Sequence, residues 1–196
     1  YELSKEYNAL LMVDDAHATG VIGNGRGTAH HFGLSDVDVQ LGTLSKALGS
    51  VGGYVAGRKE LIEYLVNYSR SFIFSTALSP ADIGAALEAL TIVKNEPLVV
   101  EQLNENTAYM ANKLQSMGIE CDDETPIFPI IVGDNEMALS LAYELELRGI
   151  IITAIRPPTV PVGESRLRMT VTAAHSQEQL DYVANTLRDL LVDINI

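Results

Sequence analysis

A continuous apolar run that ends in acidic residues is the feature that most restricts the fold of this chain. Residues 9–13 read Ala-Leu-Leu-Met-Val, and Asp14, Asp15 and His17 follow directly. An unbroken apolar run is typical of a strand that is buried on both faces of a parallel sheet. Open sheets of this kind place ligands outside the carboxyl ends of their strands. The run therefore predicts an α/β fold with a site where Asp14 and His17 leave the strand.

The first half of the chain has the pattern of an α/β unit that ends near residue 97. We expect a glycine-rich loop over 18–34 that lies over the site, because loops carry function and glycine permits tight turns. Pro80 fits the first turn of a helix, where a missing N–H costs nothing. The other predicted elements are a helix over 1–8, strands over 9–13, 37–41 and 52–57, a helix over 59–69, a strand-like stretch over 72–75, and a helix from 80 to about 94.

The second half, residues 98–196, has the pattern of an α+β domain. Gly149 follows the second predicted helix as a stop signal, and a proline-rich loop covers 156–163. The predicted helices span 98–117, 136–148 and 177–192, and the predicted strands span 127–132, 150–155 and 166–173.

Charge and cysteine content restrict the partners and the compartment. The net charge of −13 argues against binding to nucleic acid or to an anionic membrane. The sequence has no apolar run of about 18 residues, so we predict no transmembrane span. Cys121 is the only cysteine and cannot form an internal disulfide, which favours the reducing cytoplasm. The chain opens inside a predicted helix, and we therefore expect it to be part of a longer protein.

Lys46 is the strongest candidate for a catalytic group. It lies in the sequence Gly-Thr-Leu-Ser-Lys-Ala-Leu-Gly over residues 42–49, where glycine allows close approach of the backbone to a ligand. A lysine that bonds to the cofactor aldehyde, with a carboxylate for the pyridine nitrogen, is the pair that pyridoxal phosphate enzymes use. Lys46 with Asp14 therefore predicts this chemistry. Taken separately, Lys46 is more typical of a surface lysine, and Asp14 is equally consistent with a solvated turn.

Arg156 is a candidate for binding a carboxylate. It precedes the stiff segment Pro-Pro-Thr-Val-Pro over residues 157–161, and a fixed guanidinium pairs with a carboxylate through two hydrogen bonds. An exposed arginine on a rigid loop is the alternative. Arg166 and Arg168 alternate along a predicted strand and are consistent with an ordinary solvated face.

A nucleotide-hydrolysing protein is an alternative from another class. The sequence Asp-Asp-Ala-His over residues 14–17 is similar to a Walker B strand end. Such proteins also need a Gly-x-x-x-x-Gly-Lys-Ser/Thr loop, and these 196 residues contain none.

Four motifs, in order and spacing, resemble those of the α-oxoamine synthases, which are fold-type I pyridoxal phosphate enzymes. The motifs cover residues 13–28, 42–49, 72–77 and 155–161, and the resemblance extends over essentially the whole chain. It implies that residues 1–97 are the carboxy-terminal part of the cofactor-binding large domain, with a mainly parallel sheet. Residues 98–196 would be the small α+β carboxy-terminal domain.

The resemblance implies a role for each cofactor-binding residue. Asp14 would pair with the pyridine nitrogen, and His17 would hydrogen-bond the phenolic oxygen of the ring. Thr43 would contact the cofactor near its phosphate, and Lys46 would bond to it covalently. Position 15 is aspartate where glutamate is common in the family, and this conservative change leaves the Asp14 and His17 assignments intact.

The resemblance also implies substrate and subunit contacts. Arg156 would bind the carboxylate of the amino acid, with Thr159 as a substrate contact beside it. Ser75 and Thr76 would reach the phosphate of the cofactor in a neighbouring subunit, which implies a homodimer with shared active sites.

The implied activity is that of a pyridoxal phosphate-dependent acyltransferase that condenses an amino acid with an acyl-CoA. The motif over 155–159 favours the branch that joins L-alanine to pimeloyl thioester, with loss of carbon dioxide, in biotin synthesis. The glycine C-acetyltransferase branch, which uses glycine and a short acyl-CoA, is the alternative. Family members are longer, and this chain matches their carboxy-terminal half, so a truncated chain that acts only as an interaction module remains a third possibility.

Overall fold

The computed structural model describes residues 1–193 and divides into two compact units, of which the second begins at Glu101. The division falls inside a helix that starts at Pro97, a few residues beyond the predicted boundary. The first unit contains α1 (Glu2–Glu6), β1 (Met12–Asp14), α2 (Thr28–His31), β2 (Val39–Thr43), β3 (Gly53–Gly57), α3 (Lys59–Tyr68), α4 (Arg70–Ile73) and α5 (Pro80–Asn95). Helix α6 (Pro97–Gln115) spans the division.

The sheet of the first unit has the order β1-β2-β3. Strand β1 pairs with β2 in parallel, with Asp14 opposite Leu41, and β3 pairs with β2 antiparallel, with Tyr54 opposite Gly42. The α/β class is confirmed, with one parallel and one antiparallel pairing in the described part of the sheet. Because β1 and β2 are parallel, their carboxyl ends lie at the same edge.

The first strand differs from its prediction in position and burial. The prediction placed a buried strand over residues 9–13, but β1 starts at Met12, and the Met12 side chain is exposed. Within residues 1–193 only β2 pairs with β1, so β1 is an edge strand there. The apolar run correctly indicated a parallel strand, but its depth of burial depends on neighbours that these residues do not supply.

The predicted strand-like stretch over 72–75 is wrong. Residues 72 and 73 end helix α4, and residues 74 and 75 form the turn after it. Ile73 N donates to Ser69 O at 2.9 Å, and Phe74 N donates to Arg70 O at 3.0 Å. The β-propensity of the aromatic and branched residues reflects packing on a sheet, and no described strand pairs with this segment. Local helical hydrogen bonds therefore determine its conformation.

Helix α5 begins as the sequence predicted. Ser79 is its N-cap and accepts a hydrogen bond from Asp82 N at 3.2 Å, and Pro80 occupies the first turn. A serine cap followed by proline satisfies one free N–H and removes another.

The second unit is an α+β structure with an antiparallel sheet of order β4-β6-β5. Its further elements are β4 (Ile127–Gly133), α7 (Asn135–Glu146), β5 (Thr153–Ile155), β6 (Ser165–Thr170) and α8 (Gln177–Asp193). Both β5 and β6 are shorter than predicted. Gly149 has φ +75° just beyond α7, which confirms it as the stop signal.

The core of the second unit lies between its helices and its sheet. Apolar side chains from α6, α7, α8, β4 and β6 form one buried cluster, and Ala154 of β5 packs against it. The largest completely covered members are Met110, Leu114, Phe128, Ile130, Leu145, Leu167 and Leu187. No helix within residues 1–193 is both long enough and apolar enough to span a membrane.

Candidate active site

The turn after β1 carries two of the predicted site residues in a fixed arrangement. Asp15 N donates to Leu41 O at 2.7 Å, and Asp15 O accepts from Ala18 N and Thr19 N, each at 2.9 Å. These bonds attach the turn to β2 and close it on itself. Asp14 and His17 are both exposed on this turn.

The Asp14 carboxylate is oriented by its own turn. Its Oδ1 atom accepts a hydrogen bond from Ala16 N at 2.9 Å. This bond restrains the carboxylate through Oδ1, and Oδ2 can accept a hydrogen bond from a ligand.

The loop after β2 carries Thr43 and Lys46. Thr43 Oγ1 donates to Gly52 O at 3.0 Å and lies 2.7 Å from Ser45 Oγ. Lys46 is exposed in the turn that follows, where Gly49 N donates to Lys46 O at 3.0 Å. Among residues 1–193 the Lys46 ammonium has no hydrogen-bond or ion-pair partner, so it remains available for covalent chemistry.

Parallel pairing brings the two segments to one edge of the sheet. Asp14 is opposite Leu41, and Thr43 ends β2 two residues later. Paired residues of parallel strands share a face of the sheet, and residues two apart along a strand do so as well. Asp14 and Thr43 are therefore on the same face, at the edge where the Lys46 loop begins.

The segment with Ser75 and Thr76 follows α4 and is exposed. Ser75 Oγ donates to Ser71 O, which leaves the Ser75 hydroxyl oxygen able to accept. No hydrogen bond within residues 1–193 links Ser75 or Thr76 to the edge that carries Asp14 and Lys46.

Arg156 and Thr159 belong to the second unit, in the loop after β5. Thr159 N donates to Arg156 O at 3.0 Å, which makes the loop a tight turn, and both residues are exposed. The Arg156 guanidinium has no acidic partner in the described part of the chain. Arg166, by contrast, pairs with Glu164 at 2.7 Å, so Arg166 is a weaker candidate for an incoming carboxylate.

The structure adds two residues that sequence reasoning missed, Asp15 and Tyr54. Asp15 is buried while its neighbour Asp14 is exposed, and Tyr54 covers Gly42 and lies 2.7 Å from Thr19 Oγ1 through its hydroxyl. The alternation of side chains along a strand could have indicated that Asp15 is buried where Asp14 is exposed, because adjacent residues face opposite sides. The contacts of Tyr54 depend on the pairing of β2 with β3.

The chemistry of the edge fits the predicted cofactor. It offers an oriented carboxylate for a pyridine nitrogen, an imidazole on the same turn, a hydroxyl, and an unpaired amine. Asp14, His17, Thr43 and Lys46 are thus the residues of the first unit that could hold pyridoxal phosphate.

Comparison with known protein families gives a match over residues 1–187 to the family described as aminotransferase class I and II. The 8-amino-7-oxononanoate synthase of Lysinibacillus sphaericus is 49% identical over 198 aligned residues, which cover 100% of this chain and 51% of that protein. The chain thus spans about half the length of the curated relatives that it matches.

The solved structures with similar folds include a serine palmitoyltransferase and an 8-amino-7-oxononanoate synthase. The serine palmitoyltransferase of S. paucimobilis, solved with bound pyridoxal phosphate and myriocin, has a TM-score of 0.93 and 27% identity, over 99% of this chain and 50% of that one. The 8-amino-7-oxononanoate synthase of Francisella tularensis has a TM-score of 0.84 and 27% identity, over 100% and 58%. The similarity thus includes enzymes with two different names and activities.

Proposed function

This chain belongs to the aminotransferase class I and II family, and from that membership we propose that it is part of an 8-amino-7-oxononanoate synthase. The proposed reaction condenses L-alanine with pimeloyl-CoA, or another pimeloyl thioester, with loss of carbon dioxide in biotin synthesis. The resemblance to α-oxoamine synthases noted in the sequence is confirmed by the relatives. The observation that carries the proposal is the meeting of the Asp14 turn and the Lys46 loop at one sheet edge.

The cofactor is pyridoxal phosphate, as in the serine palmitoyltransferase structure. When bound, it supplies an electron sink for a carbanion at the α-carbon of the amino acid. The Asp14 carboxylate holds a proton on the ring nitrogen, which favours that charge transfer. His17 orients the ring through its phenolic oxygen, and the Thr43 hydroxyl binds near the phosphate.

Lys46 has two tasks in this proposal. Its Nζ atom would hold the cofactor by a covalent bond. As a free amine it would also be the general base at the α-proton of the amino acid, a role that requires a positioned proton acceptor. The absence of any internal partner for Lys46 among residues 1–193 supports both tasks, because no ion pair has to break first.

Arg156 binds the carboxylate of L-alanine in this proposal, and Thr159 contacts the substrate beside it. The fork of a guanidinium matches a carboxylate with two parallel hydrogen bonds. The tight turn that joins Arg156 to Thr159 limits the directions that the arginine backbone can take, which supports a fixed orientation.

We also infer a homodimer in which Ser75 and Thr76 contact the phosphate in the partner's site. An exposed apolar segment supports this proposal, since Phe72 and Phe74 are 64% and 77% exposed. Exposed aromatic clusters of this kind are typical of protein interfaces. The cytoplasmic location expected from the single cysteine stays a prediction.

The test uses the purified full-length protein and measures release of coenzyme A with three substrate pairs. We expect turnover with L-alanine and pimeloyl-CoA. Preference for glycine with acetyl-CoA would support the glycine C-acetyltransferase alternative, and preference for L-serine with palmitoyl-CoA would make the protein a serine palmitoyltransferase. A protein that develops no visible absorbance with pyridoxal phosphate and no turnover with any pair would support the interaction module.

A further inference from the structure

Asp15 is a buried carboxylate that the proposed chemistry leaves without a role. Only 4% of its surface is exposed. Its Oδ2 atom accepts one hydrogen bond, from Thr28 N at 3.1 Å, and its Oδ1 atom has no partner within residues 1–193. Burial of a carboxylate with so few hydrogen bonds is unfavourable. The hydrogen bond from Thr28 N therefore helps to stabilise the buried position of Asp15.

That contact closes the glycine-rich loop onto the turn that carries Asp14 and His17. Asp15 lies within this turn, and Thr28 starts helix α2 at the far end of the loop. The side chain of Asp15 therefore joins the two ends of a segment of about a dozen residues.

Gly27 shows how closely the loop approaches Asp15. A Cβ atom at position 27 would lie 2.2 Å from Asp15 Oδ2, and Gly27 has φ +95°. No side chain fits in that space, and few residues adopt that backbone conformation. The glycine thus permits the hydrogen bond between Thr28 N and the carboxylate.

The beginning of the loop is held by a second contact. Thr19 Oγ1 lies 2.7 Å from the Tyr54 hydroxyl on β3. Within the loop, Gly20 N donates to Gly25 O at 2.9 Å and Thr19 bridges to Arg26. The loop is therefore a closed structure attached to the sheet at one end and to Asp15 at the other.

We propose that Asp15 is a positioning residue that acts through Thr28 N. By holding the loop beneath the turn, it fixes the directions in which Asp14 and His17 face the cofactor ring. This inference rests on the proposed function, because it assumes that both residues contact pyridoxal phosphate.

The test removes the donor and the acceptor separately in the full-length protein. Thr28→Pro replaces the N–H by a ring carbon that faces Asp15 Oδ2, so it removes the hydrogen bond and pushes the carboxylate away, whereas Thr28→Ala keeps the N–H as its matched control. Asp15→Leu removes the acceptor at similar volume, and Asp15→Asn keeps an oxygen that can accept from Thr28 N. Asp36→Leu, at an exposed aspartate that pairs with Lys5, controls for loss of an acidic residue.

Two properties are measured for each variant: the dissociation constant for pyridoxal phosphate and the pH midpoint of its visible absorbance. The midpoint reports the groups that face the ring, and a general loss of stability would not move it. We expect Thr28→Pro and Asp15→Leu to weaken cofactor binding by about tenfold, as the loss of a hydrogen bond to a charged group implies, and to shift the midpoint. Thr28→Ala, Asp15→Asn and Asp36→Leu should keep the wild-type midpoint.

The outcomes separate this inference from the proposed function. If the wild-type protein binds pyridoxal phosphate but Thr28→Pro or Asp15→Leu keeps the wild-type midpoint and affinity, the positioning role is wrong. It is equally wrong if Asp15→Asn behaves like Asp15→Leu. A wild-type protein that forms no visible band would overturn the proposed function, and the positioning role with it.

Discussion

Substitution of Gly42 by alanine tests the close packing on which the Lys46 loop depends. Gly42 is buried in β2 opposite Tyr54. A Cβ atom at this position would lie 2.5 Å from both Cζ and the hydroxyl oxygen of Tyr54. Real Cβ atoms are not found so close to other heavy atoms, so the tyrosine ring must move.

The expected cost has two parts. An added methyl group in a packed site costs about 1–3 kcal/mol, and loss of the hydrogen bond between Tyr54 and Thr19 costs about 1 kcal/mol more. A cavity of about 500 Å³ borders Gly42 and Tyr54 and gives the ring space to move into. The two parts together give about 2–4 kcal/mol. Because the ring has space to move into, we expect Gly42→Ala to lower the free energy of unfolding by about 2 kcal/mol, the lower end of this range.

Denaturant unfolding of the full-length protein, followed by circular dichroism, measures this change. Gly84→Ala is the matched control, because Gly84 lies inside α5 with no atom within 4 Å of a Cβ, and alanine in a helix should add about 1 kcal/mol. In a Tyr54→Ala background the ring is gone, and Gly42→Ala should then be nearly neutral. A destabilisation that persists unchanged in that background would refute the steric argument.

Three further predictions concern stability and pH. Leu167 is completely buried in the second unit, so Leu167→Ala should cost about 2–5 kcal/mol in denaturant unfolding, whereas Leu147→Ala, at an exposed position, should change stability by less than about 0.5 kcal/mol. Asp134 caps α7 by accepting from two backbone N–H groups, and Asp134→Ala should cost about 1 kcal/mol in the same assay. The ammonium of Lys113, 2.7 Å from Asp181, together with a tyrosine hydroxyl, lowers the pKa of the Asp181 carboxyl. The ion pair therefore stabilises the fold above the unfolded pKa of about 3.9. This contribution is lost as pH falls through the lower folded pKa. Carbon-detected titration should show the pKa of Asp181 rise toward its ordinary value in Lys113→Met, and an unchanged pKa would contradict the pairing.

The sequence predicted the segments that carry Asp14 and Lys46 better than it predicted the tertiary contacts around them. The apolar run before Asp14 and the glycines around Lys46 are local patterns, and they were enough to predict a strand that ends at Asp14 and a loop that carries Lys46. Pro80 and Gly149 were predicted correctly for the same reason, since a helix terminus depends mainly on the residues at that terminus.

Tertiary contacts account for what the sequence did not show. The inward direction of Asp15 depends on the approach of Gly27, and the link from Tyr54 to Thr19 depends on the register of β3 against β2. The residues around Phe72 have high β-propensity, but they form a helical turn with local hydrogen bonds, such as that from Ile73 N to Ser69 O. The first two features are long-range contacts that no window of sequence contains, whereas the turn around Phe72 follows from local hydrogen bonds.

The identity of the lysine that bonds to the cofactor tests the central claim most directly. The full-length protein is incubated with pyridoxal phosphate, reduced with borohydride to fix the bond, digested, and analysed by peptide mass. We expect the mass of the reduced cofactor on the peptide that contains Lys46, its loss in Lys46→Ala, and its retention in Lys59→Ala, where the replaced lysine is exposed and pairs with Glu63 on α3. Cofactor fixed on a different lysine, or on none, would contradict the account.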